Sequence, residues 1–251
     1  MTDGPGGTAQ HHPAVPRAAV EAVFGHATQT ALRFAGHLAG SGVERGLIGP
    51  REVPRLWERH LLNCAVVETL VPEGAAVADV GSGAGLPGIA LGIVRPDIAV
   101  TLVEPLQRRV SWLDEVLDDL ALPNVRVERA RAEELRGRRS FDVVTARAVA
   151  ALPALGQWCL PLLEPGGLLL ALKGRSAQQE AESAARDLER SGASGWEVVT
   201  CGDGVLEVPT TVVVVTRSLS RQSRARSTAR RSSTAGSGSG RAARGPRPPR
   251  A

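Results

Sequence analysis

A chain of 251 residues with 43% hydrophobic content can bury one core of roughly 150 to 200 residues with something left over at its ends, and no apolar run in it approaches the roughly 20 residues that a membrane span requires. Its formal charge of +4 does not describe a basic surface: ten Arg and no acidic residue lie between Arg217 and Ala251, and removing them from 30 basic side chains leaves 20 against 26 acidic ones, about −6 over residues 1–216. That excludes a global field attracting nucleic acid, so any RNA-binding surface on the folded part has to be a local patch.

In chain order, residues 1–16 are polar and rich in Gly, His and Pro, with no charged start followed by an apolar stretch. They are expected to be disordered and not to act as a signal peptide, which predicts a cytoplasmic protein. Residues 17–72 carry helical spacing. Val20, Val23, Phe24, Ala27 and Ala31 recur every three or four residues, and Leu56, Leu61, Leu62 and Val66 repeat the pattern in a second helix that Pro54 can begin from its first turn. This predicts a small helical extension.

Residues 73–217 alternate strands and helices. Strands are predicted at Ala76 to Val80, Ala99 to Val103, Val125 to Val127, Phe141 to Thr145, Gly167 to Leu172, Trp196 to Thr200 and Thr210 to Thr216. Between the first three lie a helix over Pro87 to Val94 and another with Leu106, Val110, Leu113, Leu117 and Leu120 along one face. Such alternation with right-handed crossovers predicts an α/β fold whose mostly parallel, seven-stranded sheet is covered on both faces. Its ligand site belongs at the carboxyl ends of the strands. Cys64, Cys159 and Cys201 are far apart in apolar surroundings, which fits reduced core thiols and no metal site. Residues 218–251 are Arg, Ser, Ala, Gly and Pro with almost no apolar bulk, so an Arg-rich tail too poor in apolar surface to fold is expected. It either grips RNA phosphates or is dispensable.

The chemistry starts at Asp79-Val80-Gly81-Ser82-Gly83-Ala84-Gly85. Gly81, Gly83 and Gly85 follow the first strand and precede a helix, where the chain must turn tightly and bring bare backbone against a ligand. Gly83 to Gly88 also satisfies the dinucleotide fingerprint, a weak match taken alone. Asp79 decides between cofactors, because a carboxylate at this strand end opposes a pyrophosphate but suits the cationic methionine portion of S-adenosylmethionine (SAM). The fold class predicted is therefore Rossmann-like, class I SAM-dependent methyltransferase, with NAD-dependent redox chemistry disfavoured. The alternative for Asp79 is a turn or helix cap. Glu104 ends the second strand, where an acidic side chain accepts from ribose hydroxyls; otherwise it is a surface glutamate. Arg131-Ala132-Glu133-Glu134 follows the third strand, so its turn can meet the adenine; otherwise it is a solvated helix start.

With Leu86-Pro87-Gly88-Ile89 added, the glycine run resembles the signature of the small-subunit rRNA methyltransferase G family, also called glucose-inhibited division protein B. Arg59-His60-Leu61-Leu62-Asn63, Arg131-Ala132-Glu133-Glu134, Thr145-Ala146-Arg147-Ala148 and Leu172-Lys173-Gly174 agree with it, over about residues 18 to 216. Asn63 stands where an Asp is frequent and Thr145 where a Ser is frequent; the tail lies outside the family core. The resemblance implies N7-methylation of one guanine in the 530 loop of 16S rRNA, the position usually numbered 527. It implies SAM contacts at Gly81 and Leu86, an adenine site at Ala132 and Glu133, and Arg147 at the junction of cofactor and RNA. His60 and Lys173 would lie at the pocket mouth, with Arg108 and Arg109 on phosphates.

Guanine N7 has an in-plane lone pair and no proton to remove, so the expected site works by proximity and needs no general base. No Asn-Pro-Pro-Tyr segment follows the fourth strand and no Pro-Cys nucleophile occurs, which disfavours exocyclic amines and cytosine C5. No catalytic acid or base is assigned. Arg147 is expected to orient guanine or a phosphate with its planar fork, since a cation directly over N7 would oppose the charge that methylation creates; otherwise it forms an ion pair with a strand-end carboxylate. Lys173, the one lysine in the chain, is read as a phosphate contact or a solvated strand end, and His60 as stacking on a base or packing on the sheet rim. The expected partner is 16S rRNA or the small ribosomal subunit, with no membrane and with the enzyme as a monomer. Three alternatives stay open: a SAM enzyme with a different RNA or small-molecule substrate, a ribosome-binding protein that holds SAM only structurally, and the NAD enzyme.

Overall fold

The computed structural model describes residues 15–219; the expectations for residues 1–16 and for the Arg-rich tail 218–251 lie outside them, apart from two residues at each inner end. Four helices come first, α1 (Arg17–Phe24), α2 (Thr28–Ala39), α3 (Ser41–Glu44) and α4 (Leu62–Ala65). The alternating part then runs β1 (Ala76–Val80), α5 (Gly88–Val94), β2 (Ala99–Val103), α6 (Gln107–Leu120), β3 (Val125–Glu128), β4 (Phe141–Arg147), α7 (Leu152–Cys159), β5 (Leu163–Lys173), α8 (Ala177–Arg190), β6 (Ala193–Cys201) and β7 (Thr210–Arg217).

The seven strands form one sheet in the order β3-β2-β1-β4-β5-β7-β6. Neighbours are parallel except that β7 runs antiparallel to both β5 and β6. This is the mostly parallel sheet of a class I methyltransferase, with the single reversed strand next to last. Successive strand side chains point to opposite faces, and the buried residues divide accordingly. Val77, Val100, Leu102, Val143, Leu170 and Val214 join the core under the amino-terminal helices, α5 and α6. Ala78, Val80, Val103, Val144, Leu169 and Val215 join the core under α7 and α8. Burial on both faces is why these strands read as continuous apolar runs. No helix among the described residues is long and apolar enough to cross a membrane, and all three cysteines are free and buried.

Two helical stretches differ from their spacing. The helix expected through Val20 to Ala31 breaks at Gly25, which takes φ 49° and opens a 3-10 turn over Gly25–Ala27. Glycine makes that break cheap, and Val20, Phe24 and Ala31 still bury one continuous face. The helix expected from Pro54 onward is a 3-10 turn (Pro50–Arg55), a π turn (Trp57–Leu61), α4 and a second 3-10 turn (Val66–Leu70). The Leu62 amide bonds back to the Trp57 carbonyl, five residues earlier. A spacing of five separates Leu56 from Leu61, both fully buried, and the wider turn accommodates it. Such turns cluster at functional sites, and this one carries Arg59 and His60.

Candidate cofactor and RNA site

Asp79 is completely buried near the carboxyl end of β1. Its Oδ2 accepts from the Gly88 amide at 2.9 Å, and its Oδ1 accepts from Thr145 Oγ1 at 3.2 Å across the β1–β4 pair. It therefore caps the start of α5, the plainer of its two expected roles, whatever else it does. Burial pushes its carboxyl up to about 6, with the Gly88 and Thr145 hydrogen bonds offsetting part of the shift.

The loop after β1 turns through Gly81, Gly83 and Gly85 at φ 70°, 56° and 76°, a region that side chains with a Cβ seldom adopt. A Cβ on Gly81 would stand 2.8 Å from Val149 Cγ2, so the bare loop lets the segment after β4 close against it. At Gly83 the one atom within 4 Å of such a Cβ is the Gly81 carbonyl oxygen, at 3.8 Å. The loop is thus open there, a backbone cradle of the kind a cofactor needs. Leu86 is buried behind it.

Glu104 at the end of β2 is buried, which excludes the surface reading. Its Oε2 accepts from the Gly83 amide at 3.1 Å and from Arg109 Nη1 at 3.4 Å, and its Oε1 from the Leu106 amide at 3.0 Å. A carboxylate offers about four acceptor positions, and three of those on Glu104 tie the glycine loop to the start of α6. After β3, Ala132 is buried and Glu133 exposed on a 3-10 turn, whose first amide, Arg131, is held by Glu134 Oε2 at 2.9 Å. Because β3, β2, β1 and β4 are consecutive in the sheet, Ala132, Glu133, Glu104, the glycines and Arg147 form one row along its carboxyl edge.

Arg147, the last residue of β4, makes no salt bridge among the described residues, so the expected ion pair is not formed. Its Nη1 donates to the Arg59 carbonyl at 3.1 Å and its Nη2 lies 2.7 Å from His60 Nδ1. The other ring nitrogen, His60 Nε2, lies 3.0 Å from Glu52 Oε2. Burial, and next the charge of Arg147, lower the His60 pKa from its ordinary value, while the ring hydrogen bond holds the Glu52 carboxyl below the usual carboxylate range. Both ring nitrogens of His60 are occupied, and its side chain is 14% exposed.

Lys173 is not a solvated strand end. Its side chain is only 13% exposed, and the ammonium donates to Glu180 Oε1 at 2.8 Å and to the Ala150 carbonyl at 2.9 Å; Glu180 also accepts from the Leu152 amide. The lysine thus ties the loop after β4 to α8. The four residues expected on RNA do not form one patch. Arg108 and Arg109 open α6 beside β2, whereas Lys173 ends β5, three strands away in the sheet order, about 14 Å at the usual strand spacing. Beside Lys173 lies a groove of about 690 Å³ whose walls include Arg55, Arg59 and Arg175 and, opposite in character, Val208 and Pro209; Val208 is 67% exposed. Sequence reasoning missed Glu52, Glu180, Arg55 and Arg175. Glu52 precedes His60 by eight residues through mixed turns, and no periodicity announces that pairing.

The chain matches the family described as rRNA small subunit methyltransferase G (GidB) over residues 27–208. It is 57% identical over 195 residues to a ribosomal RNA small subunit methyltransferase G of Pseudarthrobacter chlorophenolicus, covering 78% of this chain and 90% of that one. Against the protein of the same name from Thermobifida fusca it is 56% identical over 202 residues, covering 80% and 85%. Among solved structures, the [4+2]-cyclase SpnF superposes with a TM-score of 0.51 at 14% identity, covering 76% of this chain and 97% of that one, a likeness of fold alone.

Proposed function

This chain belongs to the rRNA small subunit methyltransferase G family, and on that premise we propose that it transfers a methyl group from SAM to N7 of a guanine in the 530 loop of 16S rRNA, the position usually numbered 527. The observation that carries the proposal is that the matched residues, 27–208, contain the whole row along the carboxyl edge together with His60 and Lys173. The enzyme acts as a monomer in the cytoplasm on the small ribosomal subunit or its RNA, without a membrane. Residues 17–72 are the helical extension that brings Arg59 and His60 to the methyltransferase domain, residues 73–217.

The open glycine cradle and the acidic groups at the ends of β1 and β2 fit SAM. Gly81, Gly83, Gly85 and Leu86 line it with backbone and apolar surface, Asp79 supplies the negative charge that a sulfonium and an ammonium require, Glu104 accepts from the ribose, and Ala132 and Glu133 border the adenine. SAM brings an electrophilic methyl carbon; N7 brings a lone pair that needs no deprotonation. What remains for the protein is alignment and exclusion of water, worth several orders of magnitude in rate when the reacting atoms are held about 3 Å apart. Arg147 orients the guanine or an adjacent phosphate. Lys173 holds the loop on which Val149 closes over Gly81. Arg108, and Arg55 and Arg175 in the groove, take RNA phosphates. With Arg55 and Arg175 both replaced by Ala, the slope of log affinity for small subunits against log salt should become shallower by about 1.4, two single-strand contacts at roughly 0.7 each. An unchanged slope would remove the groove from the RNA interface.

The decisive assay incubates the protein with methyl-labelled SAM and small subunits from cells lacking this modification, then cleaves at 7-methylguanine with borohydride and aniline. A single new break in the 530 loop is expected, with Arg147→Ala reducing its rate of appearance about a hundredfold, the effect of losing alignment at the reacting centre. Label at another nucleotide, or SAM binding without transfer, would refute the N7 assignment.

A further inference from the structure

We propose that Glu52 and His60 are positioning residues that hold the Arg147 guanidinium in the orientation the methyl transfer uses, an inference that rests on the N7-guanine reading of the site. What each group can donate decides the direction of these contacts. A guanidinium carries five N–H donors and no acceptor. With Arg147 Nη2 only 2.7 Å from His60 Nδ1, Nδ1 must be the acceptor, so the ring is neutral and its proton sits on Nε2. That N–H then donates to Glu52 Oε2, 3.0 Å away. One protonation state satisfies both contacts: a protonated ring would present a second donor to the guanidinium and place two cations in contact.

The second anchor is the main chain. Arg147 Nη1 donates to the Arg59 carbonyl at 3.1 Å, on the same π turn as His60. Two edges of a rigid, planar fork are therefore fixed, one by backbone and one by a ring that Glu52 in turn fixes. Of the guanidinium's other N–H groups, those not turned to the buried Cys64 thiol are the ones left to meet a ligand. An unrestrained arginine at a strand end would have to give up the rotamer freedom of its long side chain each time it engaged the RNA. Here that freedom is lost on folding, before the substrate arrives. The extra residue of the π turn has a use on this view, since it brings the Arg59 carbonyl and the His60 ring to the same guanidinium. Contact with substrate is left to Arg147; Glu52 and His60 act through it.

The test compares His60→Ala, Glu52→Ala, Glu52→Gln and Arg147→Ala on small subunits. His60→Ala should lower kcat/KM for subunits about tenfold to a hundredfold, within the cost of misplacing an aligning group, while the SAM dissociation constant stays within about twofold. Glu52 lies at the rim, with its side chain 33% exposed, so Glu52→Ala removes the far link without emptying a buried site and should cause a smaller loss in the same direction. Glu52→Gln keeps an oxygen to accept from Nε2 and should recover most of the rate. The double variant His60→Ala/Arg147→Ala should be no slower than Arg147→Ala, as expected for residues acting through one another. Independently of activity, the imidazole nitrogen spectrum of the parent should show a neutral ring with its proton on Nε2, and Arg147→Ala should shift the Nδ1 resonance. Fully additive rate losses, a His60→Ala variant as fast as the parent, or a ring found protonated on Nδ1 would each overturn the inference. A parent that makes no 7-methylguanine would instead overturn the functional reading, leaving the nitrogen spectrum to judge the hydrogen-bonded relay by itself.

Discussion

Asp79→Asn is expected to weaken SAM binding tenfold to a thousandfold while leaving the fold intact, whereas Asp79→Ala loses binding and stability together. The two substitutions separate two jobs that one carboxylate performs. An asparagine can turn its oxygen to the Gly88 amide and its amide nitrogen to Thr145 Oγ1, so both contacts of Asp79, at 2.9 and 3.2 Å, keep a partner. Only the charge goes, and removing one charge from within about 4–6 Å of an opposite one is worth 1–3 pKa units, a tenfold to thousandfold change in an equilibrium. Alanine also strips the cap from α5, for about 1 kcal/mol, and leaves the Gly88 amide buried without a partner, for roughly 1–3 kcal/mol.

The pH dependence follows with a definite sign. Burial pushes Asp79 up to about 6, above the unfolded aspartate value of about 3.9. The free protein therefore gains stability from the protonated group below that unfolded value and loses it as pH rises through about 6. A cation bound beside the carboxylate favours the ionised form. SAM affinity should accordingly rise with pH up to a plateau above about 6 and release a proton on binding at lower pH, with both effects absent in Asp79→Asn. Calorimetric titration at pH values spanning that range measures them. An Asp79→Asn protein that binds SAM like the parent at every pH would reduce Asp79 to a helix cap.

Gly88→Ala is the second large effect, about 3 kcal/mol of lost stability, and it comes from the other end of the same hydrogen bond. A Cβ there would stand 2.3 Å from Leu102 Cδ2, 2.8 Å from Asp79 Oδ2 and 2.9 Å from Asp79 Cβ. The leucine tip can move, but Asp79 is held within β1 between two paired strands, so α5 has to shift. Overpacking of this kind costs about 1–3 kcal/mol, and displacing the Gly88 amide from its carboxylate adds roughly 1–3 kcal/mol. Gly36→Ala supplies the contrast: Gly36 lies exposed within α2 with nothing within 4 Å of an added Cβ, and there the same change should stabilise by about 0.5–1 kcal/mol. Urea unfolding midpoints at unchanged slope read both. Equal effects at the two positions would show that packing at Gly88 is looser than these distances state.

The features that depend on short-range periodicity and on backbone sterics are legible from the residues alone. Strand alternation separates Val77 from Ala78 and Val143 from Val144 onto the two covered faces. Three glycines in five residues after a strand require a tight open turn, and an acidic residue at a strand end falls at the ligand edge wherever the strand is placed. Those rules need only neighbours in the chain, so Asp79, the glycines and Glu104 were legible before any fold was seen. The roles of Lys173, Arg109 and His60 were not, because each depends on what a distant segment brings to it. Lys173 meets Glu180 only once α8 folds back beside β5, and Arg109 is drawn to Glu104 by the turn that opens α6. Arg147 reaches the Arg59 carbonyl 88 residues away because a π turn, which the three-and-four spacing of the apolar residues does not encode, sets that carbonyl and the His60 ring side by side. A charged side chain takes the partner that tertiary packing supplies, since leaving it unpaired in a half-buried place costs more than any local preference can offset.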